Sequence, residues 1–374
     1  MEIENPFLIT GYVSPEYFCD REEEIQILTS MVADSTHTAL FSPRRLGKTA
    51  LLQQLIYNLK KEKIKFIYFD LMSTNSIEEF VYQFAKSFFN QTVNISRKYF
   101  NKLSQLLKGF LPTIVADPVT GSISIELKLT KVEEVYNDLG KIFDYIKNSD
   151  ERYFIAFDEF QQILIYPDKN FEGFLRSHIQ FINNASFVFS GSKHHLLLSL
   201  FGEYSRPLWQ TSTFMELKTI NWSKYSDFIE SKFQKKGRSI SGEALNFIKD
   251  STRGITFFVQ LFCNNLYKDS AKNINLATAE KVLEQIVRER ESYCINYIEL
   301  LTKKQLHVLK SIANEEGIDK PFGSEFINKY NLGAASTVKS VIDVLVAKDA
   351  VQQYQGKYYL SDVLLGIWLK NYFR

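Results

Sequence analysis

The sequence predicts an α/β fold of three layers, with helices on both faces of a parallel sheet, followed by a helical domain and a small winged domain. Three observations carry that prediction. Short apolar runs alternate with helical patterns through the first 220 residues, as in parallel sheets whose strands are covered on both faces. The run from Ser42 to Thr49 joins one such strand to a helix through a loop that ends on Gly47 and Lys48. Another strand, Tyr153–Asp158, closes on two adjacent carboxylates, Asp158 and Glu159.

The elements follow in order. Asn5–Phe18 carries Pro6, Gly11 and Pro15 and reads as an extended loop. A helix begins after it, with Asp20 as its expected N-cap and Ile25, Leu28 and Met31 on one face. Strands are expected at Thr38–Phe41, Lys65–Leu71, Tyr153–Asp158, Phe187–Ser190 and Thr213–Leu217. Between the second and third lies an insertion, about residues 94–131, containing Pro112, Pro118 and Gly121. Its alternating Ser122–Leu127 and the run Gly109–Val115 read as the arms of a hairpin. These elements give a first domain over residues 1–220. A helical lid is expected over 221–298, broken near Gly237 and Gly254, and a third domain over 299–374. The third has helices at Lys303–Glu316, Gly323–Tyr330 and Ala335–Lys348, then strands Val351–Gln353 and Tyr358–Leu360 turning at Gln355, Gly356 and Lys357. That is the pattern of a winged helix-turn-helix, closed by a last helix Asp362–Tyr372.

Composition narrows the function classes. An apolar fraction of 45% and a charged fraction of 24% are those of a globular protein, and 31 Phe with 20 Tyr supply large cores. Lys and Arg number 45 against 43 Asp and Glu, which excludes a uniformly basic coat for nucleic acid. Cys19, Cys263 and Cys294 are far apart, with no CxxC pair, so neither a disulfide framework nor a zinc site is expected. His178, His194, His195 and His307 have no metal-ligand company. The acidic start of the chain lacks an apolar segment, and runs such as Leu196–Leu200 are too short to span a bilayer. The expectation is a cytoplasmic protein without membrane contact.

The loop Ser42-Pro43-Arg44-Arg45-Leu46-Gly47-Lys48-Thr49, leading into a helix at Ala50, has the context of a P-loop. Its backbone amides and the positive helix terminus would cradle the phosphates of ATP. Lys48 is the expected cation on the β- and γ-phosphates, and Thr49 the expected ligand to Mg2+. Ser42 stands where such loops usually have their first glycine. Arg44 and Arg45 read as solvated or docking charges within the loop. Asp158 would hold magnesium through water and Glu159 would act as the base on the attacking water, the roles of a Walker B strand end. Ser190 or Ser192, at the tip of the next strand, is the expected γ-phosphate sensor. Arg206, between Ser205 and Pro207, is the candidate arginine finger for a neighbouring subunit, which would require a homo-oligomer.

With those residues in place, the chain resembles the archaeal-type ATPases near the STAND branch of AAA+ proteins, over nearly its whole length. Phe18-Cys19-Asp20-Arg21-Glu22-Glu23-Glu24 is similar to their N-terminal "GREXE" box, which implies that Phe18 or Arg21 lies near the nucleotide base. Ser42–Thr49 resembles their "GPRRxGKT" loop, and Asp158-Glu159-Phe160-Gln161 their "DEFQ" strand end. Thr252-Arg253-Gly254-Ile255-Thr256 falls where they carry a "GxP" sensor 2 element, with Thr256 in place of the proline and Arg253 as the phosphate-reaching candidate. A winged helix with Asp362 and Trp368 in its closing helix is also typical of them.

The resemblance implies ATP bound between the P-loop domain and the lid, and slow hydrolysis driving a hinge-type switch that moves the winged helix. DNA binding through the winged helix is the first alternative. Residues 300–374 hold ten Lys and Arg against seven Asp and Glu, so few phosphate contacts are on offer. The presumed recognition helix carries Ser336, Thr337, Lys339, Ser340 and Lys348 beside Asp343, and intramolecular or protein contacts are the favoured use of this domain. A nucleotide-bound scaffold without turnover is the second alternative.

Overall fold

A computed structural model describes residues 4–92, 105, 107–116, 123–315, 317–354 and 356–372. Its strands are β1 (Thr38–Phe41), β2 (Lys65–Asp70), β3 (Phe110–Ala116), β4 (Ile123–Leu129), β5 (Tyr153–Asp158), β6 (Ala185–Gly191), β7 (Thr213–Glu216), β8 (Ser239–Ile240), β9 (Asn273–Ile274), β10 (Val351–Tyr354) and β11 (Lys357–Leu360). The chain divides into two compact units. One comprises Arg21–Ser42 and Gly47–Lys218; the other comprises Met1–Asp20, Pro43–Leu46 and Thr219–Arg374.

The first unit is built on a five-stranded parallel sheet in the order β2-β5-β6-β1-β7. β5 and β6 are buried along their whole length, which is why they read as continuous apolar runs rather than as alternation. Successive residues still point to opposite faces. Ile67, Phe69, Ile155, Phe157, Phe187 and Phe189 pack on one side with Phe80, Phe84, Phe143 and Leu175 from the helices Ile77–Thr92, Val135–Lys147 and Phe171–Ile179. Phe157 alone touches Phe69, Phe80, Phe84, Phe187 and Phe189 at ring separations of 5.3–6.2 Å. Leu40, Phe154, Ala156 and Val188 turn the other way, and the helices Glu22–Ala33 and Lys48–Lys61 bury Leu28, Val32, Leu51, Leu55 and Leu59. Each such side chain withdrawn from water contributes about 1.5–3 kcal/mol.

Register brings the carboxyl ends of the strands level. Asp70 pairs with Asp158 across β2 and β5, and Phe41 with Gly191 across β1 and β6. β6 therefore lies between the strand that leads into the P-loop and the strand that ends in the two carboxylates. Ligands of open parallel sheets bind at this edge.

The insertion forms the antiparallel hairpin β3–β4, anchored where Asn90 bonds both the N–H and the C=O of Ile125. Pro118 and Gly121 of the insertion and Ser122, expected to open one hairpin arm, lie outside the described residues, as do Glu316 and Gln355. The expected cap of the first helix needs correction. Asp20 and Arg21 both have left-handed backbones, φ 59° and 77°, and the helix starts after Arg21 without a side-chain cap. Asp20 is instead paired with Lys224 at 2.7 Å.

In the second unit, helices from Trp222–Gln234 to Glu291–Glu299 are followed by Lys303–Ala313, Ser324–Lys329 and Ala335–Ala347, the hairpin β10–β11 and a last helix Val363–Tyr372. Three helices and a wing form the expected winged helix. The two-residue pairing of β8 with β9 was not foreseen, because strands so short leave no periodic pattern. The opening segment is more than a loop: the Phe7 ring is 1% exposed, set among Phe228, Phe233 and Tyr267, and Asn264 donates to the Phe7 carbonyl at 2.7 Å. Among the described residues no helix is long and apolar enough to cross a membrane.

His37, just before β1, has an Nδ1 that accepts the Phe187 N–H at 3.4 Å, and its ring meets that of Phe187 edge to face. Burial pushes the imidazole down to about 4. The folded chain thus holds His37 neutral where the unfolded chain would protonate it, so this stability is complete above about pH 6.5 and drains away towards pH 4. We expect His37→Gln to flatten the decline in denaturation midpoint between pH 6.5 and 4; an unchanged slope would contradict the assignment.

Candidate functional site

Polar side chains of the sheet unit gather at the ends of β1, β5 and β6. The loop after β1 turns through Gly47 at φ 94°, a left-handed conformation suited to glycine, and the helix Lys48–Lys61 starts on the next residue. Thr49 in its first turn donates from Oγ1 to Asp158 Oδ2 at 2.7 Å. Asp158 is 3% exposed, and its Oδ1 accepts the N–H of Glu159 at 3.1 Å. Lys48, 6% exposed, donates from Nζ to the Ser42 carbonyl at 3.0 Å and to Ser42 Oγ at 3.2 Å. The serine that replaces the usual glycine thus supplies the lysine with a second acceptor.

Glu159 follows β5 in a left-handed conformation, φ 52°, an uncommon one for a residue with a side chain. Its Oε2 accepts from Gln161 Nε2 at 2.5 Å and from Ser192 Oγ at 2.7 Å. Of the two sensor candidates, Ser192 is therefore bound to the expected base. Ser190 is fully buried, and its Oγ has no hydrogen-bond partner among the described residues.

Sequence reasoning missed three members of this site. Tyr68 on β2 donates from its hydroxyl to Asp158 Oδ2 at 3.2 Å, sharing that oxygen with Thr49, and burial pushes the phenol well above its ordinary range. Asp70, at the end of the same strand, is raised by burial and by its neighbours Asp158 and Glu159. Gln161 holds Glu159. A polar residue two positions before a strand end and the Gln after Asp158-Glu159-Phe160 were the available signals.

The other expected site residues have different company. Arg21 is 3% exposed and bonds Glu24 at 2.7 Å. The Arg206 guanidinium is paired with Glu172 at 2.5 Å. Burial raises the Glu172 carboxyl despite that pairing. In the second unit, Phe18 packs edge to face on Tyr12. Arg253, with its backbone left-handed at φ 55°, donates to the Leu360 carbonyl of β11 at 2.6 Å and lies over the Tyr359 ring. Its burial lowers the guanidinium to about 10. Arg44 pairs with Asp349 at 3.2 Å and Arg45 with Asp362 at 3.1 Å. Pro43 and Leu46 line a cavity of about 1020 Å³ in this unit, together with Ile220, Arg253, Ile255 and Tyr359.

Comparison with known proteins bears on the family and the fold. The model of an ATPase domain found predominantly in Archaea matches residues 18–255, and that of a probable winged helix domain matches 291–371. The fold is similar to that of a Walker-type ATPase of Pyrococcus abyssi, at 15% identity and a TM-score of 0.67, covering 98% of this chain and 99% of that one. It is similar also to the ORC2 protein of Aeropyrum pernix, determined in ADPNP–ADP complexes, at 12% identity, a TM-score of 0.58 and 98% coverage of both chains. Among curated proteins, none matches the chain.

Gly191 offers a test of the site's packing. A methyl group there would run into Gln161 Oε1 and come within 2.7 Å of Leu197 Cδ1. Gly191→Ala should destabilise the sheet unit by about 1–3 kcal/mol in denaturant titration. An unchanged midpoint would mean that Gln161 is not wedged between β6 and Glu159.

Proposed function

We propose that this chain, which belongs to the family of ATPase domains found predominantly in Archaea, binds ATP with magnesium at the Ser42–Thr49 loop and hydrolyses it slowly as a conformational switch. The observation that carries this reading is the Thr49–Asp158 bond of 2.7 Å beside a Glu159 carboxylate held on one oxygen by Ser192 and Gln161.

Magnesium takes oxygen ligands and keeps several of its waters, so few protein groups are required. One hydroxyl and one carboxylate side by side, Thr49 and Asp158, fit such an ion. Bound there with ATP, it would neutralise charge on the phosphates. Lys48 would leave Ser42 for the β- and γ-phosphates. With both bonds on Glu159 Oε2, Oε1 is the oxygen that would take the proton of the attacking water.

Slow turnover is supported by Arg206, whose pairing with Glu172 would have to be exchanged before it could serve another subunit. We divide the second unit into a lid over 221–298 and a winged domain over 299–374 and assign the moving role to the latter. Along the helix Ala335–Ala347, Ser336, Lys339, Ser340 and Asp343 are exposed, a mixed surface suited to a protein partner more than to phosphates. Cys19, Cys263 and Cys294 are all buried thiols, which suits a reducing, cytoplasmic setting.

Titration calorimetry with ATP tests the reading. Wild type should bind, removal of magnesium with EDTA should weaken binding, and Lys48→Ala should weaken it by at least about tenfold, the loss of roughly 1.4 kcal/mol. Equal affinity in wild type and Lys48→Ala would contradict the assigned loop.

A further inference from the structure

Asp362, at the start of the last helix, is 8% exposed and uses both carboxylate oxygens. Oδ1 accepts the N–H groups of Leu364 and Leu365 at 3.0 and 3.1 Å, the work of a helix N-cap. Oδ2 accepts from two arginines: Arg290 at 2.9 Å and Arg45 of the phosphate loop at 3.1 Å. Arg45 lies 317 positions away in sequence.

Arg45 is not an ordinary loop residue. Its φ is 72°, in the left-handed region that residues with a side chain seldom occupy. Conformations of this kind persist where the surroundings over-determine them. Three contacts do so here. The Phe257 N–H donates to the Arg45 carbonyl at 3.0 Å, and the guanidinium lies about 5 Å from the ring centres of Phe257 and Phe258. Asp362 then fixes the outer end of the side chain. Arg45 stands two residues before Gly47 and three before Lys48, so its turn sets the direction in which the loop amides run.

Resting on the nucleotide-binding reading above, we propose that Asp362 is a positioning residue for the phosphate loop. By holding Arg45 in its left-handed turn, it ties nucleotide affinity to the docking of the winged helix. Coupling of this kind is reciprocal: whatever the pair adds to nucleotide binding, bound nucleotide adds to the pair. The Arg44–Asp349 pair joins the same two segments, but both its side chains are well exposed and it should matter little.

Asp362→Asn separates the two duties of the residue. Asparagine caps helices as well as aspartate does, whereas the charge that holds Arg45 is lost. We expect titration of the full chain with Mg-ADP to show about tenfold weaker binding in Asp362→Asn and in Arg45→Gln, and no further loss when the two are combined. Arg290→Gln, which removes the neighbour on the same oxygen, should leave ADP affinity at the wild-type value. Unchanged affinity in Asp362→Asn, or losses that multiply to about a hundredfold in the double variant, would overturn the proposal. Lys48→Ala in the same series keeps the two levels apart. Wild-type affinity in Lys48→Ala would sink the loop assignment itself, whereas its loss there with unchanged binding in Asp362→Asn would sink only the positioning role.

Discussion

The bond from Thr49 to Asp158, 2.7 Å between side chains 109 residues apart, is the constraint on which the sheet unit depends. One partner sits in the first turn of a helix that follows β1, the other on the last residue of β5. To meet, they need parallel strands whose carboxyl ends are level and a single strand, β6, between them. Level ends need full-length burial of β5 and β6, because slippage would expose Phe157, Phe187 or Phe189. The aromatic core is therefore what keeps this hydroxyl and this carboxylate within hydrogen-bond reach of each other.

Arg45, Glu159 and Arg253 all lie in the left-handed region without being glycine. Each is held by a specific partner: Arg45 by Asp362, Glu159 by Gln161 and Ser192, Arg253 by the Leu360 carbonyl. Two of these restraints involve the winged helix and one the sheet.

Much of this was legible in the sequence, for identifiable reasons. β1 and β5 have the expected bounds because a buried parallel strand writes an uninterrupted apolar run. The P-loop and the Asp158-Glu159 end are contiguous, so their chemistry is visible without a fold, and the winged helix shows through its amphipathic helices and short wing. What stayed hidden depends on partners distant in sequence. Tyr68 reads as one more aromatic of a β-strand until its hydroxyl is found on Asp158. Phe7 sits in a segment with loop-forming prolines, and only Phe233 and Tyr267, distant in sequence, explain its burial. Asp20 has the residue type of an N-cap, but its left-handed backbone and Lys224 take it elsewhere. Asp349 and Asp362, the partners of Arg44 and Arg45, were not readable in the sequence.

The central claim is that the Glu159 carboxylate, presented by β5 and steadied by Ser192, turns a nucleotide-binding loop into an ATPase. Phosphate release from Mg-ATP, followed in wild type and Glu159→Gln over a range of protein concentrations, tests it most directly. The account predicts slow release in wild type and a loss of at least about a hundredfold in Glu159→Gln, as removal of a general base entails. Release that is equal in the two proteins would contradict it.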